Sequence, residues 1–84
     1  MQSMVADLTE RQIAKAVEKV LDRPVRIQRT TDISRDLAVD SLALMNIVME
    51  LEDTFDISIP LDRLAQVETV GDLADIISSL RPAA

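Results

Sequence analysis

Residues 36–44 read Asp-Leu-Ala-Val-Asp-Ser-Leu-Ala-Leu, and the reading of the chain works outward from them. A carboxylate at Asp40 is well suited to a helix N-cap, because it accepts from exposed first-turn N–H groups and complements the positive end of the helix dipole. Ser41 then falls in the first turn with its hydroxyl at the edge of the protein. The pattern that follows predicts a helix over Asp40 to Phe55. With Leu44 at zero and about 100° per residue, Leu44, Ile47, Val48, Leu51 and Phe55 cluster within about 60°, an ordinary core stripe. Leu42, Met45 and Met49 fall between about 100° and 160° on the same wheel, and Glu52, Asp53 and Asp56 continue that second face. Two readings of the second face stand: packing against the long loop or a neighbouring helix, or a docking surface. Methionine adapts to several partners, and an apolar strip edged with acid suits weak, repeated binding.

The flanks are also helical. From about Asp7 to Leu21, the residues Leu8, Ile13, Val17, Val20 and Leu21 recur at helical spacing. Asp7 with Glu10 three residues on makes Asp7 a candidate N-cap, and Pro24 ends the helix. Arg23 to Val39 lacks sustained periodicity. Val25 and Ile27 predict a few extended residues, Thr30, Thr31, Asp32 and Ser34 are turn formers, and Ile33 and Leu37 are expected to dip into the core. Arg23, Arg26, Arg29 and Arg35 read as solvated or paired locally with Asp32 or Asp36. Pro60 to Gln66 predicts a short helix anchored by Leu61 and Leu64. Thr69-Val70-Gly71-Asp72 is a capping-box variant that starts a last helix with Val70, Leu73, Ile76, Ile77 and Leu80 inward. Pro82 stops it, and Ala83 and Ala84 are expected to fray. The expectation is an all-α chain of four helices, the third short, with a long loop between the first two, in one domain over 1–84.

Composition narrows the chemistry. Eighty-four residues make a marginal core, and of the 48 % hydrophobic residues only Phe55 is aromatic, a palette that suits packed helices. The chain has no Cys and no His, which excludes thiolate or imidazole metal sites, thiol nucleophiles and histidine-based triads. No stretch approaches the roughly 18 apolar residues of a membrane span. The N-terminus shows no signal-peptide pattern, so a cytoplasmic location is expected. The net charge is −6. Asp36, Asp40, Glu50, Glu52, Asp53, Asp56 and Asp62 carry all of this excess, in a window with no Lys or Arg. Such a field repels nucleic acid and steers toward basic protein surfaces.

Ser41 has no base within easy reach. Lys15 and Lys19 are distant in sequence, Asp40 is a neighbour that does not face it, and no glycine-rich loop offers an oxyanion hole. The hydroxyl can instead accept a group from another enzyme. In a chain without cysteine, thioester chemistry needs a thiol supplied by an attached arm.

Asp36-Leu37 followed by Asp40-Ser41-Leu42 resembles the attachment motif of acyl carrier proteins. The run from Val48 to Pro60 is similar to the end of that family's second helix and the turn beyond it. Thr69 to Asp72 is similar to the start of its last helix. The resemblance implies a four-helix bundle with a short third helix. It also implies 4′-phosphopantetheine attached at Ser41 by a phosphopantetheinyl transferase, with Asp40 and Leu42 flanking it, and an acyl group held as a thioester for fatty-acid, lipid or related biosynthesis. Leu42, Met45, Met49, Glu52, Asp53 and Asp56 would meet acyl-loading and acyl-processing enzymes bearing basic docking surfaces. The carrier is expected to be a monomer, without catalysis of its own. Three departures from the family pattern leave room for a dedicated carrier. Ala38 stands where members often have Gly, which stiffens the turn before Ser41. Ala43 and Asn46 replace residues commonly acidic in fatty-acid carriers. Leu42, Leu44 and Met45 make the helix start unusually apolar. An aminoacyl or peptidyl carrier with the same arm, and an unmodified helical interaction domain, are the alternatives.

Overall fold

A computed structural model describes residues 4–81, with side chains from Leu8 onward. Five helices follow in order: α1 (Met4–Leu21), α2 (Ile33–Asp36), α3 (Ser41–Phe55), α4 (Leu61–Leu64) and α5 (Val70–Leu80). Helix α1 packs against α3 and α5. Among the described residues there is no β-strand, only an isolated antiparallel bridge between Asp32 and Thr69. The all-α bundle is as expected. Its long connection, however, carries an additional single turn, α2, too short for any periodicity to reveal.

The core is aliphatic. Ile13 and Val17 of α1, Ile47, Val48 and Leu51 of α3, and Val70, Leu73 and Ile77 of α5 are buried together with Ile33, Leu37 and Val39 from the connection. Ile33 and Leu37 therefore pin the loop as expected, each 4 % exposed. Leu44 and Phe55, at the margins of the α3 stripe, are half-buried.

Helix ends follow from local chemistry. Helix α1 already runs through Asp7, so Asp7 is not its N-cap; its side chain lies outside the described residues. It closes at Asp22, which adopts a left-handed φ of 57° while its N–H donates to the Glu18 carbonyl at 2.8 Å. Helix α3 closes the same way at Asp56 (φ 56°), where the N–H groups of Asp56 and Ile57 both reach the Glu52 carbonyl. Thr69 and Asp72 form the expected reciprocal capping box of α5. The Arg81 guanidinium carbon lies 4.9 Å from the centre of the Phe55 ring. The expectations for Pro82, Ala83 and Ala84 concern residues outside those described.

Two apolar expectations are corrected. Leu8 is 48 % exposed rather than in the α1 stripe, and Leu61 is 70 % exposed rather than anchoring α4. A one-turn helix has one inward position, and Leu64, 6 % exposed, takes it.

The connection is stitched to the start of α5. Ile33 N–H donates to the Glu68 carbonyl, Val70 N–H to that of Thr31, and Gly71 N–H to that of Arg29. Arg29 pairs at 2.8 Å with Asp75, 46 residues away, and more loosely with Glu10. Arg29, and Arg23 through the Leu37 carbonyl, are thus not simply solvated, whereas Arg26 is exposed as expected. Only Arg35 pairs as locally as its sequence neighbourhood predicts, 3.6 Å from Asp36.

Candidate functional site

The site is built where α2 hands over to α3. Asp32 is extended, and its Oδ1 accepts the Arg35 N–H at 2.8 Å, starting α2. Asp36 Oδ2 returns to accept the Asp32 N–H at 2.8 Å. The Arg35 N–H foremost, with the Ser34 hydroxyl and the Arg35 charge, holds the Asp32 carboxyl below its ordinary range. After the buried Leu37, Ala38 turns left-handed with φ 55°. Val39 then points inward at 4 % exposure, and the chain arrives extended at Asp40 (φ −84°, ψ −179°).

Asp40 caps α3 as expected, its Oδ1 accepting the Ala43 N–H at 2.8 Å. Ser41 is therefore relieved of the capping role. It is the first helical residue, it is exposed, and among the described residues none hydrogen-bonds its hydroxyl. Beside it opens a cavity of about 290 Å³. Ile33, Val39, Leu44 and Val67 supply its apolar lining, and Asp32, Asp40 and Glu68 bring carboxylates.

The face proposed for partners is only partly free. Leu42 (72 % exposed), Met45 (39 %) and Met49 (60 %) stand out from α3, so they are not covered by the loop or by a neighbouring helix. Asp53 and Asp56 are exposed beyond them. Glu52 differs: it is half-buried, and its Oε2 accepts the Ile59 N–H at 2.8 Å, closing the α3–α4 turn. Sequence reasoning placed it with its acidic neighbours because a helical wheel shows direction but not a backbone donor seven residues later.

The residues fit a phosphodiester arm. An open hydroxyl sits at the amide-bearing end of a 15-residue helix, which favours an anionic group. Among the described residues, no group of carboxylates is arranged to hold a metal ion.

Comparison with known proteins agrees with this geometry. The family described as "Phosphopantetheine attachment site" matches residues 11–77. A Caulobacter vibrioides protein described as "Probable acyl carrier protein" is 66 % identical over 77 residues, covering 92 % of this chain and 90 % of its own. A second protein of that organism, "Acyl carrier protein", is 36 % identical over 75 residues, covering 88 % and 95 %. The solution structure of a holo acyl carrier protein from Geobacter metallireducens superposes with a TM-score of 0.76 at 30 % identity, covering 86 % of this chain and 84 % of the other. The fold and the family match define a carrier domain of the phosphopantetheine-bearing class. Within that class, the chain belongs to the acyl carrier protein family. Its cofactor is 4′-phosphopantetheine, its role is to tether acyl groups, and it fits a carrier rather than a catalyst. A carrier of this kind works with a phosphopantetheinyl transferase and with acyl-handling enzymes. Among the described residues no helix is long and apolar enough to cross a membrane.

Proposed function

We propose that Ser41 is the attachment residue and that the chain is a dedicated carrier serving its own small set of cytoplasmic partner enzymes. The observation that carries this is the exposed Ser41 hydroxyl, left free because Asp40 does the capping. Asp40 holds the first turn of α3 open at its amide end. Ser41 offers its oxygen there, and the transferase is expected to supply the base that takes its proton, since among the described residues none hydrogen-bonds the hydroxyl. When attached, the arm supplies a thiol that carries the acyl group as a thioester. Leu42, Met45 and Met49 form the apolar part of the docking face, and Asp53 and Asp56 meet basic residues of the partner. A dedicated role is supported by the greater similarity to one of two carriers in a single organism, 66 % against 36 %.

The test is intact mass after incubation with coenzyme A and a broad phosphopantetheinyl transferase. A gain of about 340 Da is expected, the mass of the added arm. It should vanish in Ser41→Ala, whose melting temperature should be unchanged because the cap is intact. No gain in the wild type favours an unmodified interaction domain. A second reading is favoured by the carboxylates of Asp32, Asp40 and Glu68 around the cavity, which suit an aminoacyl cargo with an ammonium group. Charging by an adenylating enzyme, against loading from malonyl-coenzyme A, separates the two.

A further inference from the structure

We infer that Arg23 is a positioning residue for the modification of Ser41. The inference rests on Ser41 being the acceptor. Arg23 lies just beyond α1, yet its Nη2 donates to the Leu37 carbonyl at 2.8 Å, across 14 residues. Leu37 is the last residue before the left-handed Ala38, and only three residues separate it from Ser41.

The connection from Leu37 to Asp40 is held in three ways. The side chains of Leu37 and Val39 are buried on either side of Ala38. The Val39 N–H reaches the Ile33 carbonyl at 3.4 Å, a long and weak bond. The Arg23 contact is the short, charge-assisted one, and it satisfies a carbonyl at the end of α2. An alanine at φ 55° disfavours the conformation it occupies. The turn that delivers Asp40 to its cap is therefore strained, and Arg23 joins the buried Leu37 and Val39 in opposing its relaxation.

The consequence is kinetic. If only a fraction of carrier molecules keep the turn, the transferase meets a correspondingly lower concentration of competent substrate, and apparent affinity falls by that fraction. In Arg23→Ala, the KM of the transferase for the apo carrier should rise by about threefold or more, with kcat within about twofold of wild type. Arg23→Lys, which keeps a charged donor, should recover most of the loss. Ala38→Gly, placed in the Arg23→Ala background, should recover part of it by removing the strain. Val20→Ala, a half-buried truncation on α1 that leaves the Arg23 contact in place, serves as a stability-lowering control and should leave KM unchanged. Hydrogen exchange gives a second readout. The Ala43 amide, which Asp40 caps, should exchange faster in Arg23→Ala, whereas the amides of Ile47 to Leu51 should not.

An unchanged KM in Arg23→Ala overturns the inference. So does an equal rise in Val20→Ala, which would make the effect one of general stability. If Arg23→Ala does not fold, Arg23→Gln is read by the same two measurements. A wild type that gains no mass instead refutes the assignment of Ser41 itself.

Discussion

Replacing Ala38 by glycine should stabilise this protein, against the usual rule that glycine loosens a chain. Ala38 sits at φ 55°, in the left-handed region, and is exposed, so its methyl group contributes little packing. An L-residue there costs about 1–2 kcal/mol relative to its right-handed conformation. Glycine avoids that cost but loses about 0.5–1 kcal/mol more in backbone entropy on folding. The net gain is about 0.5–1 kcal/mol, which in a domain of this size raises Tm by about 2–8 °C. Thermal or urea denaturation followed by circular dichroism measures it. Ala38→Val should lower stability, since a β-branched residue tolerates positive φ least. Ala65→Gly is the paired control: Ala65 is also exposed, but at φ −63°, so glycine there should cost about 0.5–1 kcal/mol. Equal destabilisation by glycine at positions 38 and 65 would refute the strained turn.

Three further outcomes are expected. Gly71→Ala should cost about 1–3 kcal/mol in urea denaturation, because a Cβ would lie 2.9 Å from the Arg29 carbonyl oxygen, a backbone atom that cannot swing aside. Glu52→Ala should lose about 1–3 kcal/mol by orphaning the Ile59 N–H, while Asp53→Asn should leave stability within about 0.5 kcal/mol. Asp32 and Asp72 are held below their ordinary 3.8, Asp72 chiefly by the Glu68 and Thr69 N–H groups, so the unfolded chain binds more protons as pH falls. Their contribution is complete above that ordinary value and lost as pH drops through the lower folded values. The fall in stability below pH 3.8 should therefore be shallower in Asp72→Asn.

What could be read from the chain were the features that repeat or that act within one turn. The α3 stripe of Ile47, Val48 and Leu51, the Asp40 cap and the Thr69–Asp72 box are local, and all three stand in the structure. Helix α2 was illegible because four residues cannot display a period. Stitching of the connection to α5 was illegible because Ile33, Val70 and Gly71 donate to carbonyls that any residue possesses, 35 to 42 positions away. Leu8 and Leu61 misled because apolarity reports what burial would be worth, not whether a helix turn faces inward. Of the site, Ser41 was readable as a first-turn residue behind an Asp cap, and it stands exposed at the start of α3. Arg23 was not, since its partner is a backbone carbonyl.

The acidic window changes meaning once its carboxylates are followed individually. Asp36, Asp40 and Glu52 each accept a backbone N–H, at Asp32, Ala43 and Ile59. Glu50 pairs with Lys19 at 3.0 Å. Four of the seven charges thus serve the fold, each fixing a helix end or a helix contact. Asp53, Asp56 and Asp62 remain exposed, all of them at or beyond the C-terminal end of α3. Toward Ser41 the exposed apolar surface of α3 is Leu42, Met45 and Met49. On the proposed docking face, a partner would therefore be steered by charge at the far end of α3 and gripped by apolar contact at the near end. Glu52→Lys would confuse the two roles, because it breaks a turn as well as reversing a charge. Asp53→Lys with Asp56→Lys isolates the steering: association should slow, more at low salt than at high, with stability little changed. Met45→Ala should instead speed dissociation, and it should lose much less than the roughly 2 kcal/mol expected of a core methionine. If the lysine variants altered only dissociation, or Met45→Ala only association, this division of labour along α3 would be wrong.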